Sequence, residues 1–237
     1  MSLPVFFAKE ITPDVKEYRL DEAASRHCIQ VLRMSAEEPL QLTDGRGHCF
    51  HAVIKVADRR QTLVRILSCD HIPPRNPSLA IGIAFTKNNS RMEWFLEKAT
   101  EIGVHRIIPL LCRRSEKEKF RHDRFENILI AAMIQSQQYH LPVLEMPAAL
   151  ESVLNVKDYT QRLIAHCGKD PKPFISQVLK PGETSLVLIG PEGDFTPEEI
   201  QEALSQGFTA ISLGDTRLRT ETAGVVACAC MNAVQHS

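Results

Sequence analysis

The chain has 237 residues, 43% of them hydrophobic and 24% charged, with a formal net charge of −1. That length accommodates one large domain or two modest ones around a true core. No apolar run approaches the roughly 18–20 residues of a membrane span, and the near-neutral balance leaves any polyanion partner to local patches.

In chain order, Asp21 is placed to cap a helix over Glu22–Arg33. Strands are predicted at Leu40–Thr43, Cys49–Val56 and Thr62–Leu67, joined by turns at Asp44-Gly45-Arg46-Gly47 and Asp58-Arg59-Arg60-Gln61. This first part reads as a small β-barrel or sandwich. The Pro-rich stretch His71–Pro77 breaks regular structure, so the boundary is set there, giving domains 1–72 and 73–237.

From Leu79 onward strands and helices alternate. Leu79–Phe85 is an apolar strand; Ser90-x-x-Glu93 is a capping box opening a helix that Gly103 closes. Arg106–Cys112 is the next strand and Arg124–Gln137 a longer helix, followed by strands at Arg162–Cys167 and Ser185–Ile189. Thr196-Pro197-Glu198-Glu199 combines an N-cap, a proline at the first helical position and a capping-box glutamate. A strand at Ala210–Leu213 and a small-residue helix Ala223–Val234, with Thr220 or Thr222 as cap, end the pattern. Such alternation predicts an α/β fold with a mostly parallel, helix-covered sheet.

The seven cysteines (28, 49, 69, 112, 167, 228 and 230) include no Cys-x-x-Cys pair, so neither a zinc site nor a disulfide framework is supported. The N-terminal segment lacks a basic stretch ahead of an apolar core, so no signal peptide is expected. Together these features predict a reduced, cytoplasmic protein.

Two loops at strand ends carry the chemistry. Ile189-Gly190-Pro191-Glu192-Gly193-Asp194-Phe195 has two glycines flanking Pro-Glu, which lets the main chain approach a ligand or simply makes a tight turn. Leu213-Gly214-Asp215-Thr216-Arg217-Leu218-Arg219-Thr220-Glu221-Thr222 crowds two arginines and a glutamate between a strand end and a helix start, where open α/β sheets bind ligands. Because both loops follow parallel strands, they are expected at one sheet edge and in one pocket. Lys87 and Arg91 sit at a strand end and a helix N-terminus, where cations disfavour the helix and suit an anionic partner, or simply form a solvated charged helix end. Arg113-Arg114-Ser115-x-Lys117-x-Lys119-x-Arg121-His122-x-Arg124 is the most basic segment, diluted by Glu116, Glu118 and Asp123. P-loop, Rossmann, nucleophile-elbow and His-Glu-x-x-His patterns are missing.

Taken together, Ile-Gly-Pro-Glu-Gly followed by Leu-Gly-x-x-x-Leu-Arg-Thr-Glu-Thr-Ala resembles the signature of the bacterial 16S ribosomal RNA uracil-N3 methyltransferases, of the SPOUT or trefoil-knot superfamily. Lys87-x-x-x-Arg91-x-Glu93 with Lys98-Ala99-Thr100-Glu101-Ile102-Gly103-Val104 is similar to its second motif, and His27-x-x-x-Val31-Leu32-Arg33 to the helix of its PUA-like RNA-binding domain. The likeness spans nearly the whole chain. Three departures stand out: Leu3-Pro4-Val5 where an arginine often precedes the aromatic pair, Asp194 for a second glycine, and Ile134-Gln135-Ser136-Gln137-Gln138 for Glu-Gln-Ser-Gly-Arg.

The resemblance implies a homodimer with a PUA-like β-barrel at 1–72 and, within 73–237, a knot over about 160–237 that binds S-adenosylmethionine. It implies methylation at N3 of a uridine of 16S rRNA in the small subunit, the family target being uridine 1498. Cofactor residues carried over are His166, Ile189, Gly190, Pro191, Glu192, Gly193, Leu213, Gly214, Leu218, Arg219 and Thr220, with Ala165-His166-Cys167 as a third loop nearby. Arg26, His27, Arg33, Lys87, Arg91, Arg113 and Arg114 are expected to contact RNA. A uracil N3 must lose its proton before attack, which spreads negative charge over N3 and the flanking carbonyls. Arg219 or Arg217 suits that charge. For Glu221 three roles stay open: proton acceptor, arginine partner or helix cap. Two rivals are an RNA-binding assembly factor with a vestigial pocket and a nucleotide-binding enzyme of small molecules.

Overall fold

In the computed structural model, residues 3–115, 120–168 and 170–236 are described. The chain separates into two compact units: residues 1–74 with 133–141, and residues 75–132 with 142–237.

The first unit contains β1 (Val5–Phe7), β2 (Glu17–Arg19), α1 (Glu22–Arg26), β3 (Pro39–Thr43), β4 (His48–Val56) and β5 (Leu63–His71). They form one five-stranded sheet in the order β1-β3-β4-β5-β2, with β1 parallel to β3 and the other pairs antiparallel. Leu40, Leu42, Phe50, Ile54 and Val64 are fully buried on its inner face. Each contributes about 1.5–3 kcal/mol of burial free energy. β1 and β2 are absent from the sequence-based assignment; at three residues each they carry too little alternation to read.

The helix expected over Glu22–Arg33 is split. Asp21 caps it, its Oδ1 accepting the Ala24 N–H at 2.7 Å. After Arg26, however, the coil widens into a π turn over His27–Val31, in which Leu32 N–H reaches back to His27 O. Arg33 then adopts φ 56° and ends the element. Sequence periodicity does not resolve a turn of 3.6 residues from a slightly wider one.

The second unit contains β6 (Leu79–Ala84), α2 (Asn89–Ile102), β7 (Arg106–Leu111), most of α3 (His122–Gln135), β8 (Val143–Leu144), β9 (Ala148–Ala149), α4 (Leu150–Leu154), β10 (Gln161–Ala165), α5 (Ile175–Val178), β11 (Ser185–Ile189), α6 (Pro197–Ser205), β12 (Thr209–Ile211) and α7 (Thr220–Val234). Its sheet is parallel throughout, in the order β12-β10-β11-β6-β7-β8, with β9 also pairing β7. The α/β class and parallel sheet expected from the alternation are therefore present. Every residue of β6 and β11 is buried, as continuous apolar runs in the middle of a covered parallel sheet require.

Two caps differ from expectation. α2 opens at Asn88, whose Oδ1 accepts the Arg91 N–H at 3.2 Å, two residues before the Ser90 capping box. Asn88 outcompetes Ser90 because asparagine is at least as good an N-cap and stands nearer the strand. α7 opens at Thr220 with Arg219 as a cap lacking a side-chain bond, so neither Thr220 nor Thr222 caps it. The Thr196–Glu199 box of α6 is complete: Glu199 N–H donates to Thr196 Oγ1 at 3.2 Å and Thr196 N–H to Glu199 Oε2 at 2.7 Å.

Candidate active site

The C-terminal ends of β12, β10 and β11 lie side by side, with Ala165 level with Ile189 on one flank and Ile211 on the other. Three loops leave this edge, and a cavity of about 920 Å³ lies among them. The sequence reading places the loops after β11 and β12 in one pocket. They do share it, but β10 runs between those strands, so the loop beginning at His166 forms the middle wall.

β12 stops at Ile211 because the Ser212 main chain changes partner. Its N–H donates to Pro173 O at 2.9 Å and its carbonyl accepts the Ile175 N–H at 3.0 Å. Ser212 Oγ then holds the turn, donating to Gly214 O at 3.0 Å and accepting the Gly214 N–H at 3.2 Å. Gly214 has φ 140°, and a Cβ there would meet nothing within 4 Å. Its glycine is demanded by backbone conformation rather than by space.

The cofactor residues read from the motif converge. His166, Ile189, Gly190, Pro191, Glu192, Leu213, Gly214, Leu218, Arg219 and Thr220 all line the cavity. Gly193 stands outside that lining and instead faces the Arg114 side chain, whose Nη1 donates to Gly193 O at 2.7 Å. Thr220 Oγ1 donates to Gly190 O at 3.3 Å, which ties the third loop to the second. The hydroxyl suspected of capping α7 is thus spent on joining the two walls.

Asp194 adopts φ 62°, a left-handed conformation that aspartate tolerates better than most residues. Its Oδ2 accepts the Cys167 N–H at 2.8 Å and its Oδ1 accepts its neighbour Phe195 N–H at 2.8 Å. It therefore clamps the first loop to the second. The sequence marked Asp194 only as a departure from glycine. Asp215 and Thr216, members of the second chemistry-bearing loop, also line the cavity, as does Lys172, whose spacing does not distinguish it from an ordinary loop residue.

Arg217 and Arg219 line the cavity and are exposed, and their guanidinium groups have no bonding partner among the described residues. Glu221 behaves differently. Its side chain is 8% exposed, Oε1 lies 3.7 Å from Arg91 Nε, and Oε2 has no hydrogen-bond partner among the described residues. Arg91, expected to touch RNA, is in the cavity wall and also donates to Glu192 Oε1 at 3.1 Å.

The remaining basic residues are dispersed. Lys87 is exposed in the loop after β6. Arg113 N–H donates to Glu199 Oε1 at 2.7 Å, and its guanidinium lies 3.8 Å from Glu198. Lys117 and Lys119 of the basic segment lie outside the described residues. In the first unit, Arg26 pairs with Glu22 at 2.7 Å, while His27 and Arg33 are exposed. Among the described residues, no group of three or more His, Cys, Asp or Glu side chains is placed to hold a metal ion.

His166 has its pKa lowered from the usual 6.5, first by burial and then by the Lys172 ammonium, with Asp194 and Asp170 opposing. Its Nδ1 accepts the Gly168 N–H at 3.1 Å, which requires that nitrogen unprotonated. Because the folded state depresses this pKa, the stabilisation is complete above the unfolded value and is lost as pH falls through the folded one. Thermal unfolding midpoints should therefore decline below about pH 6.5, and less steeply in His166→Asn. Parallel declines in the two proteins would show that His166 is not the titrating group.

A domain model described as "RNA methyltransferase domain" matches residues 74–232, and one described as "RNA methyltransferase PUA domain" matches residues 20–67. The chain belongs to the RNA methyltransferase family. Over 99% of both chains it is similar to the solved structure of a probable rRNA-methyltransferase from Porphyromonas gingivalis, with 40% identity and a TM-score of 0.92. It is 27% identical, with a TM-score of 0.86 over 98% of both chains, to the ribosomal RNA small subunit methyltransferase E of Neisseria gonorrhoeae bound to S-adenosyl methionine. The protein of that name in Mycobacterium bovis is 30% identical over 213 residues, 85% of this chain and 80% of the other. The family resemblance carried by the motifs is borne out.

Proposed function

We propose that the protein is an S-adenosylmethionine-dependent methyltransferase that modifies N3 of a uridine in 16S rRNA of the small ribosomal subunit, the position corresponding to uridine 1498. On this reading it is a cytoplasmic homodimer in which residues 1–72 recognise RNA and residues 73–237 carry the reaction. The observation that carries the proposal is the three-loop cavity, with two arginines in its wall whose guanidinium groups have no partner among the described residues. A trefoil knot over about 160–237 is part of the proposal. It is supported by α7, which after the edge strand β12 returns to pack on β6, β11 and α2.

The residues present fit the cofactor. At about 920 Å³ the cavity is of the size that holds a drug-sized ligand. Ile189, Pro191, Ile211, Leu213 and Leu218 offer apolar surface for a nucleoside, and Gly190 and Gly214 bring main chain to the lining, with open space beside Gly214 and the Phe195 ring packed against Gly190. When bound, S-adenosylmethionine supplies an electrophilic methyl whose leaving group is a neutral thioether. The protein's task is then the nucleophile. Arg219 or Arg217 would bind the uracil through its planar fork of donors, orient N3 and stabilise the charge that develops as the N3 proton leaves. Calorimetry tests the cofactor assignment: a saturable heat with S-adenosylmethionine is expected, and its absence would refute the proposal.

Of the three roles open to Glu221, pairing with an arginine has the best support. A carboxylate behind the cavity wall is poorly placed to take a proton from a base at its mouth. Glu221→Gln should lower transfer about tenfold, through loss of Arg91 positioning worth roughly 1.4 kcal/mol, and leave the shape of the pH–rate profile unchanged. Disappearance of the acidic limb in the variant would instead identify Glu221 as the base.

A further inference from the structure

We propose that α1 and the β4–β5 turn of the first unit form an anion site that grips an RNA phosphodiester through Arg26, Arg59 and Arg60. This rests on the reading of the chain as an RNA-directed enzyme.

Among the described residues, a depression of about 320 Å³ is lined by Glu22, Arg26, Gln30, Arg59 and Arg60. All five are polar and exposed, so the depression offers nothing to an apolar ligand. Three cations face one lining carboxylate. Glu22 pairs with Arg26 alone, in an exposed contact of the kind that holds weakly. The Arg59 and Arg60 guanidinium groups have no bonding partner among the described residues. The neighbouring Asp58 carboxylate, whose Oδ1 accepts the Arg60 and Gln61 N–H groups at 2.7 and 3.0 Å, attracts both guanidinium groups but closes no ion pair with either among the described residues, so Arg26, Arg59 and Arg60 still outnumber Glu22 and Asp58.

The arginines stand on a fixed base. Ser25 on α1 and Thr62 at the end of the turn are both fully buried. Thr62 N–H donates to Ser25 Oγ at 2.9 Å, Ser25 Oγ donates to Leu20 O at 3.3 Å, and Leu20 N–H donates to Thr62 O at 2.9 Å. Thr62 Oγ1 also donates to Asp58 O at 2.7 Å, which fixes the turn itself. A closed ring of buried hydrogen bonds therefore holds the turn against the helix, and the two sets of arginines are preorganised together. Guanidinium forks match phosphate oxygens bidentately. An acidic protein surface would bring its own apolar contacts, which this depression cannot receive. His27 and Arg33, the other basic residues expected to touch RNA here, are not among the lining groups.

The test is fluorescence anisotropy of a labelled RNA hairpin over a salt series, with the full-length protein and the Arg59→Gln/Arg60→Gln variant. Both positions are exposed, so folding should survive, and unchanged S-adenosylmethionine calorimetry would verify it. Loss of two phosphate contacts should reduce the slope of log K against log salt by about 1.4–1.8 and weaken binding at low salt. Arg65→Gln, which removes an exposed arginine of β5 paired with Glu37, should leave the slope unchanged. An unchanged slope in the double variant, or an equal loss in Arg65→Gln, overturns the site. Displacement of the hairpin by inorganic phosphate or by poly-glutamate from wild type but not from the double variant would reassign it to a free anion or an acidic protein. If wild type itself fails to bind the hairpin, the functional reading fails; if only the variant behaves like wild type, this inference alone does.

Discussion

At saturating S-adenosylmethionine, Arg219→Ala should lower methyl transfer about 10²–10³-fold, the usual cost of deleting one preorganised donor to a developing anion. The expectation follows from where the side chain sits. Arg219 is the last residue before α7, with an extended backbone, and its guanidinium is exposed in the cavity wall with no bonding partner among the described residues. Nothing in the fold depends on its charge, so its removal should affect the reaction and not the stability. Arg217→Ala provides the comparison, since both arginines line the cavity. Single-turnover rates at saturating cofactor separate the two: whichever variant loses transfer while retaining RNA affinity identifies the guanidinium that faces the uracil. Near-wild-type rates in both would refute an arginine role at N3.

The second large effect is expected at Gly224, which is buried on α7. A Cβ there would lie 2.6 Å from Phe95 Cε2 and 2.8 Å from Ile83 Cδ1, and both of those residues are fully buried. Alanine improves helix propensity by about 1 kcal/mol over glycine, yet forcing a methyl into a filled core costs about 1–3 kcal/mol. Overpacking should win at this position, because Phe95 is held by α2 and Ile83 by the central strand β6. Gly224→Ala should therefore unfold at lower urea, and it should also bind S-adenosylmethionine less well, since α7 begins at Thr220, whose hydroxyl joins two walls of the cavity. A variant as stable as wild type would mean that α7 can slide away from β6 at little cost.

The composition of the cavity was legible in the sequence because its residues are local. Gly190-Pro191-Glu192 and Leu213–Thr220 each follow an apolar run, and a strand end is where a parallel sheet places ligand loops. The order of the strands was not legible. That β10 separates β11 from β12 depends on packing between distant segments, which no local pattern encodes. The same limit applies to residues 133–141, which belong to the first compact unit although the chain around them belongs to the second. Side-chain roles failed in a related way. Thr220 has the chemistry of a cap, but the Gly190 carbonyl, 30 residues away in sequence, claims its hydroxyl. Glu221 lies between candidate ligand residues in sequence, yet the first turn of α7 directs it inward to Arg91. Asp194 could have been recognised as a left-handed residue from its place in a glycine position, but its hydrogen bond to Cys167 N–H could not.

The central claim is tested most directly by transfer of labelled methyl from S-adenosylmethionine to small ribosomal subunits that lack the modification, with the product nucleoside identified by mass spectrometry. The account predicts 3-methyluridine in 16S rRNA, formed by wild type and nearly lost with Arg219→Ala. A methyl group on another atom or another nucleoside, or no transfer from a protein that binds the cofactor, would contradict it.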